Sequence, residues 1–389
     1  MSRFVELARN SYNSIAVYSP YTVRNRLRWW NELLPTIRPY YAIKSFDHPL
    51  ILHTTGTSGL IGGFDVASRG EIEKVVKYGL PMIHSNPVKL DEDIRSAKDN
   101  DVTMHVCDDL ETILRVRRIQ PDSRIIWRIK SMEQFSRIRF NEKFGSSARS
   151  TGRILRDFQN HALGPIDGLS FHVGSACSNM TVFLSMMRHI ERDLFPKWQK
   201  VSMPLPKLID IGGGFRSIDG LHSISKELTQ LTRDWKRRYG IDFIAEPGRY
   251  ISEDSIRLYT RVIGVKKRDA VYTRAGKQAD HYNIHINDSI YQSFSGIIFD
   301  QMKPVPEPTY APISIRSNAI CTIWGNTCDG CDKIIDSILL PIPRLNDVLR
   351  WRKMGAYTLV SGTVGFNGFE PPRVVSVDET HDQLRIDNL

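Results

Sequence analysis

Short apolar runs alternate with amphipathic stretches through roughly the first two thirds of the chain. The apolar runs predict strands buried on both faces, whereas apolar positions repeating every three or four residues predict helices. The predicted strands are 39–44, 62–68, 81–84, 102–106, 124–129, 168–173, 207–211 and 242–246. The predicted helices include 22–35, 69–78, 90–100, 110–118, 181–194 and 224–239. Eight alternating strand and helix units predict an α/β fold, a TIM-like (β/α)8 barrel of parallel strands.

The pattern changes near residue 252. Short β-rich runs then dominate, and a proline-rich turn at 303–308 interrupts them. These runs are 258–262, 282–286, 321–324, 356–360 and 373–377. This pattern of short β-rich runs predicts a second, mostly β domain. We therefore expect a barrel at 21–252, a C-terminal β domain at 253–389, and an N-terminal segment at 1–20 that packs with the β domain.

Composition narrows the class of protein. The chain has 389 residues, 41% hydrophobic and 25% charged, as in ordinary globular proteins. No apolar run approaches the length of about 18 residues that a membrane span needs, and the first residues lack a signal-peptide core, so we expect a cytoplasmic protein. The net charge is +10, but the basic residues are scattered, and solvated helix faces explain them more simply than a nucleic-acid partner does. A phosphate-bearing small molecule would also suit a basic protein.

The five cysteines form neither a disulfide framework nor a strong metal motif. An odd, sparse set in a chain of this length does not predict disulfides. Cys328 and Cys331 make one C-x-x-C, but no second C-x-x-C or paired histidines accompany it, so we predict no metal site.

The candidate chemistry follows the predicted strands, because barrel enzymes carry it at the carboxyl ends of the strands. The polar residues at those ends are Lys44, Asp65, Arg128, His172, the Gly212–Gly214 turn, Glu246 and Arg249. Each has an ordinary interpretation: a solvated strand-end lysine, a helix N-cap, a core histidine or an ion pair. Together they indicate pyridoxal phosphate, with a lysine for the imine, a carboxylate for the ring nitrogen and a glycine-rich turn for the phosphate.

The motifs that contain these residues resemble those of the fold-type III, pyridoxal-phosphate-dependent basic amino acid decarboxylases. They are Pro39–Lys44, Phe64–Ser68, Phe171–Ser175, Asp210–Phe215 and Ala245–Tyr250, followed by Trp324–Gly330, Gly355–Thr358 and Phe366–Phe369. The resemblance runs from about Ile15 to the end of the chain and is nearest to the eukaryotic-type ornithine decarboxylases.

This resemblance implies a role for each site residue. Lys44 would hold the cofactor as an imine, His172 would stack on its ring, and Glu246 would keep the ring nitrogen protonated. Asp65 and Arg128 would support that site. The phosphate would be held by Ser175, Gly214, Gly248, Arg249 and Tyr357. The family's active form is a homodimer with shared active sites, in which Cys328 would reprotonate the substrate carbon and Asp329 would bind the distal amino group from the partner chain.

Substrate preference is expected to depend on a segment near Phe299 and Asp300. In ornithine decarboxylases an aspartate at the Asp300 position helps to clamp the terminal ammonium, so the resemblance favours ornithine and the product putrescine, a polyamine precursor. Three departures bear on that choice: Phe299 replaces a common tyrosine, Asn326 replaces a usual proline, and Ser45 and Phe46 replace the usual residues after the lysine. Arginine, lysine and diaminopimelate remain alternative substrates. A non-catalytic regulator like the antizyme inhibitors is a distant alternative, since those tend to lose cofactor residues that are present here.

Overall fold

The computed structural model describes residues 3–161, 163–216, 218–272, 278–310, 316–363, 365–378 and 383–385. Numbered along the chain, the strands are β1 (Ile15–Tyr18), β2 (Ile37–Ala42), β3 (Gly63–Val66), β4 (Met82–His84), β5 (Met104–Cys107), β6 (Arg124–Arg128), β7 (Gly168–Ser170), β8 (Leu208–Asp210), β9 (Asp242–Ala245), β10 (Ile256–Tyr272), β11 (Gln278–Ile286), β12 (Pro306–Pro308), β13 (Asn318–Trp324), β14 (Lys333–Pro341), β15 (Val348–Trp351), β16 (Arg373–Asp378) and β17 (Gln383–Arg385).

The α-helices are α1 (Arg3–Asn10), α2 (Pro20–Leu33), α3 (Pro49–Gly56), α4 (Arg69–Val75), α5 (Asp91–Asp99), α6 (Leu110–Ile119), α7 (Ala148–Asn160), α8 (Thr181–His189), α9 (Phe195–Lys200), α10 (Ile218–Tyr239), α11 (Arg249–Ser252) and α12 (Gly296–Phe299). Contacts divide the chain into two units. One is continuous, Arg24–Ile251, and the other combines Met1–Val23 with Ser252–Leu389.

The continuous unit is a closed barrel of parallel strands in the order β2 to β9, in which β9 pairs with β2. The predicted barrel is therefore confirmed. Its interior is filled by apolar side chains from successive strands, among them Ile83, Val106, Ile126 and Ile244. Strand β6 shows why the sequence forms such elements: its central Ile-Ile-Trp is buried and only its terminal arginines are accessible, as expected for a strand covered on both faces.

The second unit is mostly β, as predicted. In its described residues, nine strands join one sheet, with β1 between β10 and β16. Ile15 pairs with Tyr259 of antiparallel β10 and with Arg373 of parallel β16. The N-terminal strand is thus an internal strand of this sheet, and α1 covers it with the buried side chains Val5 and Ala8.

Two local predictions are wrong. Strand β2 ends at Ala42, and Lys44 lies in a 3-10 turn, Ile43–Ser45, so it follows the strand rather than ending it. The predicted strand at 356–360 is a turn followed by a 3-10 helix, Leu359–Ser361. Tyr357 explains the second error, because its φ of 55° belongs to the left-handed region that an extended strand cannot contain. Across the described residues, no helix combines the length and apolar character of a membrane span.

Candidate active site

Three buried carboxyl groups meet at the carboxyl ends of the barrel strands. Asp65 lies on β3, Asp210 is the last residue of β8, and Glu246 follows β9 directly. Lys44 Nζ donates to Asp65 Oδ2 at 2.7 Å, and the Ser85 hydroxyl donates to the other Asp65 oxygen. Buried acids need a compensating charge or donor, and for Asp65 the Lys44 amine and the Ser85 hydroxyl supply them.

Asp210 and Glu246 form a coupled pair at the centre of this group. Burial raises the pKa of Asp210 to about 6, although Gly212 N at 2.8 Å and Ser170 Oγ at 2.9 Å donate to it. Burial, followed by the charges of Asp210 and Asp65, raises the pKa of Glu246 well above its usual range. Glu246 Oε1 is buried and makes no hydrogen bond within the described residues. The pair therefore presents an oxygen suited to a cationic N–H group from a ligand.

His172 lies two residues beyond β7 as a neutral imidazole. Burial, and then the positive charge of Arg128, lowers the pKa of His172 well below its usual range. Gly174 N donates to His172 Nδ1 at 3.0 Å, which places the imidazole proton on Nε2. The ring stands edge-on to Phe140, with centroids 4.9 Å apart. A Cβ at Gly213 would lie 2.7 Å from Nε2, so the glycine turn and the ring share one small space.

The glycine turn after β8 permits a close approach of backbone to a ligand. Gly212 has a φ of 68° and Gly214 a φ of 108°, values that side chains rarely tolerate. A Cβ at Gly214 would lie 2.6 Å from the carbonyl oxygen of Gly174. Helix α10 begins shortly after this turn, an arrangement that suits an anion such as a phosphate.

A buried arginine lies near the same turn. Arg249 donates to Ser175 Oγ at 3.0 Å and starts α11 directly after Gly248. A Cβ at Gly248 would lie 3.0 Å from that of Ser45, which fixes the path of this loop against the lysine turn. Arg128 is the last residue of β6, and its guanidinium carbon lies 5.0 Å from the centroid of the Phe144 ring. The structure thus brings together the predicted lysine, carboxylate, histidine, glycine, serine and arginine residues of the barrel.

The remaining predicted site residues belong to the second unit. Cys328 is exposed, and its backbone N and Sγ lie 3.2 and 3.4 Å from Asn367 Oδ1. Asp329 accepts hydrogen bonds from the Tyr291 hydroxyl and from Cys331 N, and these donors, Tyr291 first, lower the pKa of Asp329. Asp329 is therefore an ionised carboxylate, as the binding of an ammonium group requires.

The predicted specificity residues differ in exposure. Phe299 is 63% exposed at the end of α12, whereas the next residue, Asp300, is only 5% exposed. Gly296, which starts α12, lies against the Tyr357 turn, because a Cβ on it would come within 2.8 Å of the Tyr357 carbonyl oxygen. Tyr357 and Asp300 therefore belong to adjoining segments of the second unit.

Sequence reasoning assigned no role to Asp210 or to Asp332. Asp210 closes β8 immediately before the glycine turn, and that position was the signal that could have identified it. Asp332 is 1% exposed and accepts from Thr327 N at 3.0 Å and from Ile290 N at 3.0 Å. A Cβ at Gly325 would clash with the Asp332 carboxylate. Asp332 thus holds the loop that carries Cys328, a role that appears only in three dimensions.

The barrel residues fit pyridoxal phosphate on structural grounds. The Lys44 amine can condense with an aldehyde, and the unsatisfied Glu246 Oε1 can accept from a ring N–H. The glycine turn and Arg249 provide backbone and guanidinium donors for a phosphate. Each of these three groups matches one functional part of that cofactor.

Comparison with known proteins agrees with this fit. The family model described as "Pyridoxal-dependent decarboxylase, pyridoxal binding domain" matches residues 21–253. The chain is 30% identical over 375 residues to ornithine decarboxylase of Rattus norvegicus, covering 91% of this chain and 78% of the relative. It is 32% identical over 378 residues to ornithine decarboxylase of Neurospora crassa, covering 89% and 76%.

Solved structures are similar over nearly the whole chain. The arginine decarboxylase of Paramecium bursaria Chlorella virus bound to agmatine superposes with a TM-score of 0.86 at 27% identity, covering 96% of this chain and 98% of that one. The lysine/ornithine decarboxylase of Vibrio vulnificus complexed with cadaverine gives a TM-score of 0.82 at 26% identity, covering 96% and 97%. Together with the barrel site, these matches show that the chain belongs to the pyridoxal-dependent decarboxylases, with pyridoxal 5'-phosphate as its cofactor and a basic amino acid as its substrate.

Proposed function

We propose that this enzyme decarboxylates L-ornithine to putrescine, a step of polyamine formation, in a homodimer with shared active sites. The observation that carries the choice of ornithine is the buried Asp300, a short carboxylate at the position where ornithine decarboxylases have one. The relatives at 30–32% identity, which are ornithine decarboxylases, support the same substrate. The cytoplasmic location stays a prediction.

The barrel residues would prepare the reacting centre. Bound pyridoxal phosphate supplies an electron sink for the pair of electrons that remains when carbon dioxide leaves. Lys44 is proposed to attach the cofactor through Nζ and to displace the product amine. Asp65 holds that amine at 2.7 Å. Glu246 Oε1 is proposed to keep the ring nitrogen protonated, and Asp210 keeps the Glu246 carboxyl in place.

The other barrel residues would position the cofactor. His172 is neutral and fixed at Nδ1, so its flat face can lie against a ring without adding a positive charge beside it. Arg128 is proposed to support this site. For the phosphate, we propose Ser175, Gly214, Gly248 and Arg249, joined by Tyr357.

The residues of the second unit would recognise the substrate and protonate the product. Asp329, held ionised by its Tyr291 contact, is proposed to bind the distal ammonium together with Phe299 and Asp300. Cys328, with an accessible Sγ, is proposed to deliver the proton to the α-carbon. In the proposed dimer, Cys328 and Asp329 act in the barrel site of the partner chain.

Parallel assays on the holoenzyme test the substrate proposal. Carbon dioxide release from labelled ornithine, lysine and arginine should show the highest kcat/KM for ornithine. Arginine is the second candidate, because the viral arginine decarboxylase superposes with a TM-score of 0.86. A higher kcat/KM for arginine or lysine would reject ornithine as the substrate and retain the decarboxylase class. A protein that binds the cofactor but decarboxylates none of these substrates, nor diaminopimelate, would favour the regulatory alternative.

Mixing two impaired variants tests the shared site, at an ornithine concentration low enough that neither variant alone is measurably active. Lys44→Ala lacks the lysine of the barrel site, and Asp329→Ala lacks the carboxylate given to the partner's site. In a mixed dimer, one site would combine the intact Lys44 of one chain with the intact Asp329 of the other. If random exchange produces mixed dimers in half of the population, activity should recover to about one quarter of the wild-type value. Lys44→Ala carried alone through the same exchange procedure serves as the control. A mixture that remains inactive, although exchange is demonstrated, would show that each chain completes its own site.

A further inference from the structure

A cationic cavity opens at the opposite end of the barrel from the cofactor site. It has a volume of about 1030 Å³ and is lined by residues at or near the starts of the strands β2, β4, β5, β6, β8 and β9. A volume of this order accommodates a small ligand. The cationic residues that line it are Arg38, Arg124, Lys207, Arg233, Lys236 and Arg237, against the acidic residues Asp101 and Asp242.

Several of these charges lack a carboxylate partner. Lys236 pairs with Asp242 at 2.6 Å, and Arg237 pairs with Asp234. Within the described ranges, by contrast, no ion pair or side-chain hydrogen bond involves Arg38, Arg124 or Arg233. The lining therefore keeps an excess of positive charge that the protein itself does not neutralise.

The strand geometry directs two of these arginines toward the barrel axis. Arg38 and Tyr40 lie two residues apart on β2, and so do Arg124 and Ile126 on β6, so each pair shares a face. Tyr40 and Ile126 belong to the apolar cluster inside the barrel. Arg38 and Arg124 consequently project into the mouth of the barrel from different strands.

Tyr40 adds a hydrogen-bond donor to this mouth of the barrel. Its side chain is only 7% exposed and lines the cavity, yet its hydroxyl makes no hydrogen bond with any residue in the described part of the chain. Arg38 and Arg124 lie close enough for their charges to oppose the rise that burial causes in the pKa of Tyr40. The hydroxyl thus lines the same cavity as two cations and can donate to an oxyanion bound there.

The wall of the cavity behind these groups is apolar. Met82, Met104, Leu208 and Ile244 line it and are each less than a tenth exposed. A polar mouth over an apolar floor is the usual construction of a small-molecule site. It fits a ligand with an anionic group and an apolar or ring portion better than an extended nucleic-acid strand, which needs an open groove.

We propose that the amino-terminal mouth of the barrel is a second binding site, which takes a small phosphorylated molecule through Arg38, Arg124 and the Tyr40 hydroxyl. Guanidinium groups bind phosphate oxygens in pairs of parallel hydrogen bonds, which matches two arginines facing a common space. Lys207 and Arg233 add positive charge at the rim. The site is separate from the cofactor phosphate cradle and takes no part in the decarboxylation.

Calorimetric titration of the holoenzyme tests the proposal, with tripolyphosphate and ATP as separate probes. The double variant R38Q/R124Q should bind tripolyphosphate about 100-fold more weakly, roughly tenfold for each lost charge-assisted contact. The control R153Q/R156Q removes two exposed arginines from α7 and should bind as the wild type does. Cofactor absorbance should be the same in all three proteins. Tighter binding of ATP than of tripolyphosphate would identify a ligand with a ring portion, and equal binding would identify the phosphate alone.

Two results would overturn the proposal. One is that neither probe binds the wild-type holoenzyme, whether or not duplex RNA does. The other is that R38Q/R124Q binds tripolyphosphate as tightly as R153Q/R156Q does. If R38Q/R124Q does not fold, Y40F and K207Q/R233Q replace it, since each should weaken tripolyphosphate binding severalfold at unchanged kcat. Unchanged binding in both would reject the site.

Discussion

The close packing of Gly213 against His172 and Glu246 can be tested by adding a single methyl group. In Gly213→Ala, the new Cβ would lie 2.7 Å from His172 Nε2 and 2.9 Å from the Glu246 carbonyl oxygen. One neighbour is backbone and the other is a ring already fixed by Gly174 N, so neither can rotate away cheaply. Restoring ordinary contacts would displace both groups by roughly half an ångström, an overpacking that costs about 1–3 kcal/mol of stability.

The displaced residues carry the side chains that would face the cofactor ring, the His172 imidazole and the Glu246 carboxyl, so function should suffer as well as stability. A misplacement of about 1 Å can reduce a rate 100-fold, and we expect roughly a tenfold fall in kcat from half that shift. Cofactor affinity should also fall. Thermal melting of the cofactor-free protein, cofactor titration by absorbance and steady-state kinetics would measure the three effects.

Gly152→Ala is the matched control. Gly152 lies within α7, and the nearest atom to an added Cβ is Lys197 Cδ at 3.6 Å, an ordinary contact. Alanine inside a helix should raise stability by about 0.5–1 kcal/mol and leave catalysis unchanged. If Gly213→Ala melts at the wild-type temperature and retains wild-type cofactor affinity, the turn is not the close-packed boundary described here.

Further predictions concern pH, product and substrate. Folding raises the pKa of Glu71 from 4.5 to about 7, so the folded state retains a proton that the unfolded state has lost in that interval. Stability of the cofactor-free protein should therefore fall as pH rises from about 4.5 to 7, and Glu71→Gln should flatten this dependence by up to about 3 kcal/mol in chemical unfolding. Cys328→Ala should continue to release carbon dioxide but form less than one molecule of putrescine per molecule of carbon dioxide. A ratio of one, measured by chromatography, would exclude Cys328 as the proton donor. Asp329→Asn should raise KM for ornithine about tenfold or more, whereas Cys331→Ser should leave KM unchanged.

The barrel and most of its site could be predicted because they depend on local sequence. Each strand is a short apolar run, and the polar residue after it must lie at the carboxyl end of a parallel sheet. Lys44, His172 and Glu246 were located in this way, since one strand sets each position. The exact backbone around Lys44 could not be predicted, because a 3-10 turn leaves little trace in a hydrophobic pattern.

The features that escaped prediction depend on residues distant in sequence. The coupling of Asp210 to Glu246 depends on two strands that become neighbours only in the barrel. Similarly, Arg38 and Arg124 are ordinary strand-start residues until closure of the barrel directs both to one axis. In the linear sequence the two arginines are 86 residues apart, and neither was assigned a role.

The position of β1 has a consequence for biosynthesis. This strand is synthesised before the barrel, yet its two neighbours in the sheet, β10 and β16, are synthesised only after the barrel. At about 5–20 residues per second, the interval between Tyr18 and Arg373 is on the order of 20–70 s. During that time the continuous barrel can fold, whereas Ile15–Tyr18 presents four apolar side chains and at least one unpaired backbone edge. Slowed elongation or premature termination should therefore expose a short aggregation-prone strand, and this segment is a natural place for a chaperone to bind the nascent chain.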